Sequence, residues 1–212
     1  MEKNKSQKKP WTRTIGIGSI LASFVISMAF GLDRAPATDS VAAQTPKIKK
    51  DSVASVKAFQ HVYRVLMSPR CMNCHPAGDI PLQGDDSHLH EMFPKRGTEG
   101  KGVLAMKCTN CHQPDNTPGP HAPPGNPNWH LPPAEMKMVF EGKTARQLAK
   151  QLVDRKQNGN KDMKQLLEHA DDSLVKWGWQ PGEGRTLPPL SHAEFKKQWT
   201  IWINTGAYAP LN

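Results

Sequence analysis

From Ser52 to Met67 the apolar residues Val53, Val56, Phe59, Tyr63 and Leu66 recur at helical spacing. Ser68-Pro69 is placed to end that helix. Thr144-Ala145-Arg146-Gln147 has the form of a capping box. It opens a helix to about Gln157, with Asn158-Gly159 as its stop. Another helix is expected from Lys161 to about His169. Ser191-His192-Ala193-Glu194 is a second capping box. Phe195, Trp199, Trp202 and Ile203 then share one apolar face, closed by Asn204-Thr205-Gly206. Between 76 and 133 periodicity gives way to turn formers, and the chain's 19 prolines and 16 glycines are densest there. No strand pattern of any strength is visible. The expected fold is mainly α and loop-rich, with a helical C-terminal part and no substantial β-sheet.

The first residues stand apart. Lys3, Lys5, Lys8, Lys9 and Arg13 precede an apolar run from Ile15 to Leu32, broken only by glycines and serines. A basic flank, an apolar stretch and then small residues make the pattern of a secretory signal. Cleavage is expected after Ala29, Ala37 or Ala43. The run is also just long enough to cross a bilayer, so an uncleaved anchor formed by residues 15–32 is the alternative. Either version delivers the rest of the chain to the outer face of the inner membrane, the periplasm. Residues 1–37 are therefore read as signal peptide or membrane anchor, and 38–50 as a polar linker.

The chemistry lies in the cysteines. Cys71-Met72-Asn73-Cys74-His75 and Cys108-Thr109-Asn110-Cys111-His112 repeat one pattern, Cys-x-x-Cys-His, and use all four cysteines of the chain. That pattern is the attachment site of c-type haem. Each thiol forms a thioether with a porphyrin vinyl group, and the adjacent histidine becomes an axial ligand to iron. A four-thiolate zinc site is the competing reading, but it leaves unexplained why histidine follows both pairs. A dithiol redox motif would need a strand-helix-strand setting, and a structural disulfide a longer loop. Two covalent haems c are thus the expected cofactors, with His75 and His112 as proximal ligands. Only 33 residues separate Cys74 from Cys108, so the two haems should be close neighbours. Residues 51–138 form the expected di-haem region, with 139–212 packed on it.

Charge adds an exclusion. The whole chain is +9, but residues 1–37 hold six Lys/Arg against two Asp/Glu, leaving a net of +5 beyond them. Haem propionates would bring the remainder closer to neutral. The basic residues are scattered and the compartment is wrong for nucleic acid, which is excluded as a partner.

The sixth position of each iron decides the function. A His or Met there closes the site for electron transfer, whereas a vacant position allows small-molecule chemistry. His88 and His90 lie 20 and 18 residues before Cys108. This spacing is similar to that in the small di-haem subunit of periplasmic nitrate reductase. His90 is favoured for the second haem, with His88 as alternate. His121 is favoured for the first, then His130, because their proline-rich loop could fold back across a haem. Met136 or Met138 would supply an axial thioether instead. His61 reads as an exposed helix histidine, and His169 and His192 as structural. Met106 suits a haem face. Trp199 and Trp202 read as core, and Trp129 as a residue that could shield a haem edge.

The segment from about Ala58 to Ala207 resembles a bacterial family of di-haem cytochromes labelled as a subunit of isoquinoline 1-oxidoreductase. The stretches that carry the resemblance are Pro69–Pro76, Gln83-Gly84-Asp85-Asp86, Ala122-Pro123-Pro124-Gly125 and Trp129-His130-Leu131-Pro132-Pro133. Met138–Gly142, Trp177-Gly178-Trp179 and Pro181–Arg185 continue it. The resemblance implies a non-catalytic electron-transfer subunit. It would take electrons from a molybdenum-containing dehydrogenase of the xanthine-oxidase type and pass them to a downstream respiratory acceptor. The rival expectation is a catalytic, peroxidase-like di-haem enzyme with one open iron position and His88 and His90 as an acid-base pair.

Overall fold

A computed structural model describes residues 50–211. The leader 1–37, its apolar run 15–32 and nearly all of the linker lie outside the described residues. Among the described residues no helix is long and apolar enough to cross a membrane.

The architecture is mainly helical. The long helices are α1 (Ser52–Leu66), α3 (Ala145–Val153) and α6 (His192–Asn204). Shorter ones are α2 (Pro69–Met72), α4 (Met163–His169) and α5 (Ser173–Trp177). The proline that ends α1 also opens α2, because proline's fixed φ suits the first turn of a helix. Two antiparallel pairs of two-residue strands complete the set. β1 (Leu82–Gln83) pairs with β2 (His88–Leu89), and β3 (Gly102–Val103) with β4 (Met106–Lys107).

The core lies where α1 and α6 pack together, with α3 and α4 against them. α1 buries Ser55, Ala58, Phe59, Val62, Val65 and Leu66, and Val53 stays 78 % exposed. Phe59 and Leu66 of the expected stripe are buried and Val56 and Tyr63 partly so, while Val53 falls outside the buried face. Ser55 tolerates full burial because both of its hydroxyl roles are met. It donates to the Trp202 carbonyl and accepts from the Tyr208 N–H. From α6 come Phe195, Trp199, Trp202 and Ile203, as the spacing required.

Both expected N-termini hold. Thr144 Oγ1 accepts from the Gln147 N–H at 3.2 Å, and Gln147 Oε1 accepts from the Thr144 N–H at 2.9 Å. Ser191 caps α6 through the Glu194 N–H. α3 stops at Val153, short of Gln157, because Asp154 accepts from the Lys156 N–H and from the Gln157 side chain and turns the chain. Thr144→Ala should cost about 1 kcal/mol. A lower urea midpoint with unchanged slope would register it.

The first Cys-x-x-Cys-His stretch is attached to this core. Cys71 and Met72 pack on the buried cluster. Phe140 belongs to that cluster, and its N–H donates to the His75 carbonyl at 2.9 Å. The 51–138 and 139–212 regions therefore share one core, and the described residues fall in a single compact unit.

Candidate metal centres

Each motif forms one helical turn. At the first, the Cys74 N–H donates to the Cys71 carbonyl and the His75 N–H to the Met72 carbonyl. At the second, the Cys111 and His112 N–H groups both donate to the Cys108 carbonyl. Residues three apart on a helical turn share a face, so each pair of thiols is presented on one side.

The two motif histidines are held in the same way. His75 Nδ1–H donates to the Met138 carbonyl at 2.7 Å, and His112 Nδ1–H to the Pro124 carbonyl at 2.7 Å. A carbonyl can only accept, so the proton sits on Nδ1 and the Nε2 lone pair stays free. Each ring also lies flat on an aromatic neighbour. His75 stacks on Phe140 with centroids 3.9 Å apart, and His112 on Trp129 at 4.2 Å. Trp129 in turn meets Trp177 edge-on at 4.8 Å. Burial lowers the His75 pKa to about 4, outweighing the Met138 carbonyl, and lowers that of His112 as well. Both imidazoles are neutral at pH 7, the form that ligates a metal. A hydrogen bond fixing the remote ring nitrogen is the usual support of a metal-bound histidine.

The cysteines are free thiols. Burial pushes Cys71 up to about 12 and Cys74 to about 11, and raises Cys108. Burial thus favours the neutral thiol at these three positions. Among the described residues no three His, Cys, Asp or Glu side chains converge to hold a metal by themselves. The four cysteines, all described, therefore do not assemble the tetrahedral set of the zinc reading.

His90 comes to the second motif. Its ring centroid lies 6.1 Å from that of His112, with the planes at 68°. Two imidazoles sharing one metal, each nitrogen about 2 Å from it, have centroids roughly 6 Å apart. His90 Nδ1–H donates to the Glu91 carbonyl at 2.6 Å, so Nε2 is again the free nitrogen. His88 is engaged at both nitrogens, Nδ1 by Asp86 and Nε2 by Gln83.

The other candidates are placed differently. His121 has a positive φ, its N–H donates to the Glu183 carbonyl, and its ring lies against Gly184. His130 Nδ1 contacts the Asn128 carbonyl. Met138 offers the first site its carbonyl, and its sulfur accepts from Gln151 Nε2 at 3.4 Å. Met136 lies beside Gly159. None of these side chains forms a ring contact with His75, whose one aromatic neighbour among the described residues is Phe140.

His169, read from the sequence as structural, makes no ring contact with His75 either. Its Nδ1 is held by the Asp172 carboxylate. A histidine fixed by a carboxylate, with the other nitrogen unused, is a recurrent support of metal ligands.

Three further observations test whether haem suits these residues. Leu89, Met92 and Phe93, around His90, are 52, 71 and 60 % exposed, and Leu104, just before Cys108, is 91 % exposed. Apolar surface of this kind marks a contact face. At the first motif Arg70 Nε, Asn73 Oδ1 and Arg96 Nε are buried without a partner. An apolar macrocycle matches the bare apolar residues beside His90 and Cys108, so the residues there fit the group. Comparison of the chain with protein-family models, with curated proteins and with solved structures found no match.

Proposed function

We propose that this chain is a periplasmic di-haem c-type cytochrome that carries electrons. Its donor is taken to be a molybdenum-containing dehydrogenase and its acceptor a respiratory carrier, as the family resemblance implies. The observation that carries the reading is the His90–His112 pair, 6.1 Å apart with both Nε2 atoms free. Bound haem supplies a one-electron change at iron, and the protein supplies attachment, ligands and a low-dielectric shell.

Cys71 and Cys74 attach the first haem, Cys108 and Cys111 the second. His75 and His112 are proximal ligands. His90 would close the second iron, and His121 stays the histidine favoured for the first. Phe140 and Trp129 keep the proximal rings from rotating, which limits rearrangement when the charge changes.

The test is an absorbance spectrum of protein matured in a host competent in cytochrome c assembly, oxidised and reduced, with and without carbon monoxide. Two haems per chain and no carbon monoxide shift are expected. His90→Ala should then bind carbon monoxide at one haem of the two, and His88→Ala should not. His121→Ala should open the other haem, and His169→Ala should leave it closed. A carbon monoxide shift in the unaltered protein would favour the peroxidase-like reading. Absence of haem would overturn the cytochrome altogether.

A further inference from the structure

His121 stands in the left-handed region at φ 58°, which is uncommon for a residue other than glycine. Such a conformation persists only where the surroundings over-determine it, and it gathers at ligand clamps. Here the surroundings are the segment from Pro181 to Thr186. The His121 N–H donates to the Glu183 carbonyl at 3.0 Å. Arg185 Nη2 donates to the His121 carbonyl at 2.9 Å and to the Ala122 carbonyl at 2.7 Å. Its Nη1 donates to the Pro181 carbonyl at 3.1 Å, so one guanidinium ties both strands of the contact. The His121 ring rests on Gly184, where a Cβ would lie 2.9 Å from Nε2. Among the described residues the hydrogen bonds of His121 are made by its backbone, and neither ring nitrogen is engaged.

The same segment is fastened to the first motif. Thr186 donates to Asp85 Oδ2 through its N–H at 2.9 Å and its hydroxyl at 2.6 Å. Asp85 Oδ1 accepts from Arg70 Nη2 at 2.6 Å. Arg70 is buried and directly precedes Cys71. Hydrogen bonds to ionised groups are roughly twice as strong as neutral ones, and this tie has them at both ends. A continuous line therefore runs from Arg70 through Asp85, Thr186 and Arg185 to His121. It joins a histidine from the loop after the second motif to the turn that bears Cys71. A metal ligand serves only when its support holds it to within about 0.5 Å.

We infer that Arg185 is a positioning residue which, through Asp85 and Arg70, holds His121 to the first Cys-x-x-Cys-His turn so that it closes the first iron. The inference rests on the cytochrome reading and on His121 as that ligand.

The experiment measures carbon monoxide binding by the matured protein and by His121→Ala, Arg185→Ala and Asp85→Asn, after counting haems in each. All should hold two haems. The parent should stay closed, and each variant should bind carbon monoxide at one haem. Adding His90→Ala to Arg185→Ala should open both haems, because the two changes act on different irons. Free imidazole should suppress carbon monoxide binding by Arg185→Ala, and Arg185→Lys, which keeps a donor, should open fewer molecules. If His121→Ala opens while Arg185→Ala or Asp85→Asn stays closed, the inference is overturned and the His121 closure survives. Arg185 would then merely brace the loop. One open haem in the Arg185→Ala, His90→Ala double variant overturns it as well. A closed His121→Ala, or a parent without haem, overturns it together with the reading beneath it, and the haem count tells those two failures apart. Should Arg185→Ala not accumulate, Arg185→Lys and Asp85→Asn decide, and two closed variants sink the inference.

Discussion

Replacing Cys71 and Cys74 together by alanine should yield a chain with one haem in place of two, and a markedly less stable one. The stoichiometry follows from the independence of the two motifs, each with its own thiols and its own carbonyl-held histidine. The stability cost follows from position. Cys71 and Met72 pack on the α1–α6 core, and the His75 carbonyl is bonded by the N–H of Phe140, itself 5 % exposed. Losing the first haem therefore leaves a void against the core, worth at least about 3 kcal/mol by analogy with emptying one large side chain. The matching change at Cys108 and Cys111 should remove one haem at smaller cost. Cys111 is exposed, and neither residue belongs to the core cluster. Haem counting by absorbance, with denaturation of both variants, measures the asymmetry. Equal losses of stability would contradict it.

Trp202→Ala should be the most damaging single substitution outside the motifs, at about 3–5 kcal/mol. Trp202 is fully buried. Its ring meets Phe59 of α1 at 4.7 Å and Trp199 at 5.1 Å. Its Nε1–H donates to the Tyr208 carbonyl at 3.1 Å, so truncation also strands an acceptor. The loss is a large fraction of the stability of an ordinary domain, roughly 5–15 kcal/mol. Trp202→Phe should recover much of it, because the aromatic contact with Phe59 survives. Thermal or denaturant unfolding of the two variants decides the matter.

Much of this was legible locally. The helix starts at Thr144 and Ser191 declared themselves because a capping box is written in four adjacent residues. The motifs were legible for the same reason. The buried face of α1 was legible only in part, at Phe59 and Leu66. Val53 and Val65 look alike in a periodic pattern, and only the position of α6 makes one exposed and the other buried. α2 and α5 were missed because helices of four and five residues show no full period. Among ligands, His90 was singled out by its distance from Cys108, and the structure brings it to His112. His121 was favoured because its proline-rich loop could fold back across a haem, and its ring lies against Gly184; Met138 was read as a thioether ligand, and it gives the first site its carbonyl. Arg96 was invisible because a lone arginine in a glycine-rich loop reads as solvated. Its burial depends on Gly78 and Pro132, 18 and 36 residues away.

The carbonyls that hold the two proximal rings lie at very different ranges. Pro124 is 12 residues from His112, but Met138 is 63 residues from His75. Closing the longer tether costs about 1.5 kcal/mol more in chain entropy. The second ring is therefore restrained by its own neighbourhood and can stay oriented through partial opening elsewhere. The first keeps its orientation only while distant parts of the chain remain docked, which makes it the sentinel of global integrity.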